Sequence, residues 1–318
     1  MDHLIHPLFL SKILAKMFVK VKKLLFWPYI RRYLIIRRHK KVSEYCRRLI
    51  DEYFLCGIHY NFIPKKDFKG SRIIWQYWGQ GYDDPNMPEI VKICLDSVIK
   101  YKPEGCIVVR LSDENMSEYL DLPDFLRDND FLRDNARAHF SDILRVMLLT
   151  TYGGCWLDAT VFLTGPIPEQ YWSKNIFLFQ RDENEPNKAY WEDTYAYYYG
   201  WSPKFKVRVL NSIIFAKLGN PILHTIKDIM LSVSFKGDPM PDYFFFQILF
   251  NELVENEYKK ENCPVESDCV PHHMQQFIND ERYNLLSVNQ ILDITTIHKL
   301  TYKTKGIVDK IKEFTRIP

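Results

Sequence analysis

The strongest chemical signal in this chain is a set of polar residues at fixed offsets around Gly153 and Gly154. Asp142 and Arg145 stand three apart, so a helix through them carries both on one face. Asp158 closes the apolar run Cys155-Trp156-Leu157, and Thr160 follows two residues later. A carboxylate at a strand end beside a basic residue suits chemistry in which a diphosphate departs and its charge must be neutralised. A hard oxygen ligand such as Asp158 also suits Mg2+ or Mn2+. The two glycines permit a tight turn and a close backbone approach to a ligand. Each residue also has an ordinary role, Asp158 as a turn carboxylate and Asp142 with Arg145 as a surface ion pair worth under about 1 kcal/mol. Their conjunction carries the functional reading, and these residues alone do not identify the group being moved.

The flanking sequence predicts how they are positioned. Residues 72–77 form a β-branched and aromatic run that opens into Trp78-Gly79-Gln80-Gly81, the pattern of a buried strand leading to a loop. A helix over 88–101, a strand over 106–111, helices over 116–127 and 135–152, and a strand over 155–163 follow. This alternation predicts an α/β fold, a mainly parallel sheet with helices on both faces. Beyond residue 176 strands are expected at 177–180 and 213–217 and helices at 222–232 and 243–255, with no internal repeat. At 318 residues and 47% hydrophobic content the chain can bury one full-sized core. Residues 1–62 are expected to be a helical basic N-terminal region and 63–318 the catalytic domain.

Lysine and arginine total 43 against 40 acids, a balance that favours neither a nucleic-acid binder nor an acidic tail. The positive charge is gathered in the first fifty residues, where Lys20, Lys22, Lys23, Arg31, Arg32, Arg37 and Arg38 meet few acids. Charges interrupt the apolar stretch 4–36 too often for a secretory signal or a membrane span. Ile13, Met17, Val21, Leu24 and Leu25 instead recur at helical spacing between lysines, the composition of an amphipathic arm for an anionic membrane surface. The alternative is an arm packed on its own domain or on another copy. Seven cysteines at irregular spacing give no disulfide framework and point to the cytoplasm. His272 and His273 with Cys263 and Cys269 fit no closed four-ligand zinc site.

The segments Phe140-Ser141-Asp142-Ile143-Leu144-Arg145 and Tyr152-Gly153-Gly154-Cys155-Trp156-Leu157-Asp158-Ala159-Thr160 resemble the bacterial capsular polysaccharide synthesis family of glycosyltransferases. They are more distantly similar to the mannosyl- and galactosyltransferases and clostridial glucosylating toxins that share Ser-Asp-x-x-Arg…Gly-Gly-x-Tyr-x-Asp-x-Asp. The likeness covers residues 71–303. It implies a single-domain nucleotide-diphospho-sugar transferase fold of the GT-A type. Asp142 and Arg145 then contact donor sugar and phosphates, and Asp158 the nucleotide and metal. The chain departs at Thr160, where the distant relatives carry a second, metal-binding acid. Ile74-Trp75-Gln76-Tyr77-Trp78-Gly79 resembles the segment that holds base and ribose, which implies donor contacts from Trp75, Gln76 and Trp78. Asn211 falls on a later donor-site strand and Asp242 where relatives hold sugar hydroxyls. In the closing segment the resemblance gives His298 to the metal and Lys303 to the diphosphate. The aromatic stretch Tyr190, Trp191, Tyr195, Tyr197, Tyr198, Tyr199 and Trp201 is a candidate acceptor surface, or core.

The leading expectation is therefore an Mn2+- or Mg2+-dependent transferase. It would move a hexose or N-acetylhexosamine from a nucleoside-diphosphate sugar, UDP favoured, to a capsule- or O-antigen-type glycan or lipid-linked oligosaccharide, with retention, at the inner face of a bacterial cytoplasmic membrane. Two other readings stand beside it: a glycoside hydrolase using Asp142 and Asp158, and a non-catalytic membrane-associated glycan-binding scaffold.

Overall fold

The computed structural model describes residues 27–127, 136–261, 263–304 and 306–315. At their centre lies a five-stranded sheet in the order β2-β1-β3-β6-β5. Strands β1 (Ile73–Tyr77), β2 (Ile107–Leu111), β3 (Gly154–Leu157) and β5 (Ile176–Gln180) run one way, and β6 (Val209–Ala216) runs against them. All of Val-Leu-Asn-Ser-Ile-Ile-Phe-Ala in β6 is buried, as expected of a central strand covered on both faces.

The chain leaves β1 through the helix Glu89–Tyr101, whose buried Ile90, Val91, Cys94, Leu95 and Val98 form one stripe, and enters β2 on one side of β1. It returns through the helix Arg137–Tyr152 to β3 on the other side. Connections that depart to opposite sides open a crevice at the carboxyl ends of β1 and β3. The expected 116–127 helix is instead a 3₁₀ turn, Met116–Glu118, and a short helix, Asp124–Arg127, because Pro123 disfavours helix in the residue before it.

The expected 155–163 strand breaks at Asp158. The Asp158 amide donates to the Ser212 carbonyl at 2.9 Å and the Val161 amide donates to the Asp158 carbonyl at 2.8 Å, which turns the chain. It continues as β4 (Val161–Leu163), paired antiparallel with β7 (Ile297–Lys299) in a separate two-stranded sheet. This turn brings the C-terminal segment to the end of β3. A second apolar cluster, with Ile90, Cys94, Phe162, Met274, Ile278, Leu300 and Ile311, anchors it.

The helix Arg137–Tyr152 packs on Pro221–Phe235, which starts at Asn220: its Oδ1 accepts the Leu223 amide at 3.1 Å and Pro221 takes the first helical position. Phe245–Glu255 lies between that helix, β6 and an outer helix, Trp27–Cys56. Ile35, Val42, Cys46, Leu49 and Ile50 of the outer helix belong to the main core. Arg32 pairs with Glu192, Arg38 with Asp242 and Arg47 with Glu257, so part of the basic charge is satisfied inside the protein. Residues 1–26, including the amphipathic stretch predicted over 13–25, lie outside the described residues. Among the described residues no helix is long and apolar enough to cross a membrane.

The aromatic stretch proposed as acceptor surface or core divides: Tyr190, Tyr195 and Tyr197 are half-buried, and the other four are core. Trp191, Tyr198, Tyr199 and Trp201 are buried, and the Arg181 guanidinium lies 5.4, 4.9 and 4.8 Å from the rings of Tyr198, Tyr199 and Trp201. These rings are core packed around a buried cation.

Candidate active site

A cleft of about 400 Å³ opens at the carboxyl ends of β1 and β3 and runs beside the antiparallel start of β6. Its centre is Arg145, on the third turn of the helix Arg137–Tyr152, lying 5.0 Å over the Trp156 ring. Arg145 Nη1 donates to the Asn211 carbonyl at 2.5 Å and Nη2 to the Ser141 hydroxyl at 3.0 Å. The same Nη2 faces Asp142 Oδ1 at 3.1 Å and Asp158 Oδ1 at 3.4 Å. Asn211 Nδ2 donates to Asp142 at 2.8 Å, and the Trp156 indole N–H donates to Asp158 at 2.8 Å. Lys299 completes the group, donating to the Thr160 hydroxyl and standing 3.6 Å from Asp158 Oδ2.

The two acids are driven apart. Burial pushes Asp142 up to about 7 against the pull of Arg145, with the Asp158 charge adding to the rise and the Asn211 hydrogen bond opposing it. Burial also acts upward on Asp158, but Arg145, Lys299 and hydrogen bonds from Trp156 and Ser212 hold it below the usual aspartate value. One carboxyl is therefore partly protonated near pH 7 and the other a fixed anion, a separation of roles typical of functional sites.

Of the residues singled out in the sequence, Asp142, Arg145, Asp158, Trp78 and Asn211 line this cleft. Seven others do not. Trp75 is wholly buried, its indole N–H donating to the Gly153 carbonyl at 3.0 Å and its ring set among Phe68, Tyr119 and Tyr152, so it presents no face to a ligand. Gln76 is buried on the alternate face of β1. Gly153 and Gly154 stand at the opposite end of β3, about 13 Å from Asp158 at 3.3 Å per residue. Their φ values of +70° and +99° and the approach of the Ile73 carbonyl to Gly154 explain the glycines structurally. Asp242 is held by Arg38 and accepts the Phe244 amide at 2.7 Å just before the helix Phe245–Glu255; Tyr243, in the turn before it, and Gln247, on its first turn, line the cleft in its place. His298 is fully buried and faces the Thr164 hydroxyl at 3.0 Å; burial, with His273, lowers it to about 3. Lys303 is exposed and outside the cleft.

Sequence reading missed Arg137, Tyr243, Gln247, Lys299 and Tyr302, all of which line the cleft. Arg137 pairs with Asp113 at 2.9 Å and reaches the Tyr77 hydroxyl at 3.3 Å. Its guanidinium lies where a Cβ on residue 79 would collide with it, so Gly79 was the available signal.

The residues around Asp158 do not fit a divalent cation. Asp158 is already faced by two cations, Thr160 accepts from Lys299, and the β7 alternation turns His298 away from the side Lys299 faces. Among the described residues no group of three His, Cys, Asp or Glu could hold a metal. A dication about 4 Å from the Lys299 ammonium would be repelled by roughly 8 kcal/mol at an effective dielectric near 20.

O-glycosyltransferase braB from Annulohypoxylon truncatum is 28% identical over 158 residues, 47% of this chain and 34% of that protein, so the match spans about a third of the relative's length. A solved structure titled PaToxG Glycosyltransferase aligns over 72% of this chain and 81% of its own at 15% identity, with a TM-score of 0.36. The family model described as capsular polysaccharide synthesis protein matches residues 25–316, from the outer helix through the cleft to the last helix. The chain belongs to the capsular polysaccharide synthesis protein family.

Proposed function

We propose that this protein is a glycosyltransferase of GT-A type that takes a hexose or N-acetylhexosamine from a nucleoside-diphosphate sugar, UDP favoured, and passes it with retention to a glycan or lipid-linked oligosaccharide hydroxyl. The observation that carries this reading is the single guanidinium of Arg145, stacked on Trp156 and shared by Asp142 and Asp158 at the crevice between β1 and β3. Arg145 and Lys299 face Asp142 and Asp158 there, and Asp142, raised to about 7, carries only about half its charge at pH 7, so the balance in the cleft favours an anion. In the transfer the bond from the anomeric carbon to the diphosphate oxygen breaks, a bond to the acceptor oxygen forms, and the acceptor's proton leaves with the departing diphosphate. Arg145 stabilises that leaving group, and the carboxyl groups grip sugar hydroxyls. Family membership supports a surface polysaccharide as the product. Arg37, Lys40, Lys41 and Lys204 line a groove of about 680 Å³ by the outer helix, which supports attachment to an anionic membrane surface on the cytoplasmic side.

A thermal-shift panel of nucleoside diphosphates and their sugars tests the donor. Ligand at 100 times its Kd stabilises by about 2.7 kcal/mol, so one base should raise Tm by several degrees above the rest. No shift with any nucleotide, together with sugar release from oligosaccharides in its absence, would move the site to hydrolysis.

A further inference from the structure

We propose that the Lys299 ammonium supplies the charge a divalent cation would otherwise bring to the donor, so that this cleft binds a nucleoside diphosphate without metal. The inference rests on the donor reading above and concerns how that same site holds its substrate. Lys299 lies on the last residue of β7, and the β4–β7 pairing sets it opposite Val161, one residue past Thr160. From there Nζ reaches both the Thr160 hydroxyl and Asp158 Oδ2. The backbone fixes this position, because the Leu300 amide donates to the Thr160 carbonyl at 2.9 Å. A cation is thus already seated on the carboxylate and hydroxyl that would otherwise make the inner edge of a metal site.

The charges agree with that placement. Arg145 is shared between Asp142 and Asp158, whereas Lys299 faces Asp158 alone, so Asp158 is divided between two cations and the Lys299 charge is incompletely opposed at the cleft. The lysine side chain is 19% exposed and the Asp158 side chain 24%, so both remain within reach of a ligand. An ammonium makes three hydrogen bonds in adjustable directions, and Lys299 can keep Thr160 while turning another donor to a phosphate oxygen.

Titration of UDP, GDP and ADP into the full chain, in EDTA and in manganese, tests this directly. We expect the diphosphate that binds to do so with affinity in EDTA within about threefold of that in manganese. Lys299→Ala should weaken that diphosphate at least tenfold while the matching nucleoside changes little, a contrast that general loss of structure would not produce. Lys299→Arg should retain binding in EDTA. The double variant Thr160→Asp with Lys299→Ala should regain diphosphate affinity only when manganese is added, and thermal melts of each variant check that it is folded. Binding by the unaltered protein that appears only with manganese overturns the inference and leaves the donor reading standing. Absence of diphosphate binding under both conditions overturns both.

Discussion

Arg145 and Arg181 are each 4% exposed and each paired with aspartate, yet their surroundings are opposite. Arg181 has one acid, Asp268, to itself, and its remaining donors go to the Gly200 and Tyr198 carbonyls at 2.9 Å. Rings close over the guanidinium and nothing is left to offer a ligand. At Arg145 two acids face one nitrogen, a lysine stands beside the second acid, and the group opens on a cleft. Burial and ion pairing alone therefore do not mark a site. Competition for one cation beside open space does.

The largest effect is expected at the closed arginine. Arg181→Met leaves Asp268, itself wholly buried, without a partner, at a cost of about 3–5 kcal/mol. Urea unfolding should show a large fall in midpoint, and adding Asp268→Leu should recover most of it by removing the stranded charge. A midpoint unchanged by Arg181→Met would mean that the pair is not the structural element this comparison makes it.

The open arginine should respond in the other direction. Arg145→Lys keeps the charge but loses the planar fork and the stacking on Trp156. Turnover with the donor found by thermal shift should fall about 10²–10³-fold, the magnitude of losing one preorganised donor to a leaving group, while the urea midpoint moves far less than for Arg181→Met. Full turnover combined with a large loss of stability would exchange the roles of the two arginines.

Both were plain in the sequence as letters, and only one as a site. Asp142, Arg145 and Asp158 were legible because a helix and the strand that follows it fix their offsets. The βαβ opening was legible for the same reason, since apolar runs of period 2 and 3.6 are local properties. Lys299 was not, because β7 has three residues and a shift of one exchanges the cleft-facing lysine for the buried His298. The glycine pair was rightly read as the turn from helix to strand, but its reading as a ligand contact does not fit, because it stands at the end of β3 away from Asp158. Charges on the outer helix were read as part of an arm for an anionic surface, because their partners Glu192, Asp242 and Glu257 lie 160 to 210 residues away in the chain. No local pattern reports that Tyr198 and Trp201 enclose Arg181.

The smallest effect concerns whether the competition at Arg145 is real. An unfolded aspartate titrates near 3.9, whereas Asp142 is raised to about 7 in the fold. The folded protein holds that proton more tightly, so its contribution to stability is complete below about pH 4 and is lost as pH rises through about 7. Asp158 has the opposite sign: its value is lowered, and its contribution is present above the unfolded value and lost only in acid. Between pH 5 and 8 the change therefore belongs to Asp142 alone of the two. Asp142→Asn has nothing to titrate there and keeps an oxygen toward Asn211 and Arg145. Melting at pH 5, 6, 7 and 8 should show the unaltered protein losing a few degrees more than the variant over that span. Parallel slopes would mean that Asp142 is ionised throughout, that Arg145 holds two full charges with ease, and that the contrast with Arg181 is one of access to solvent alone.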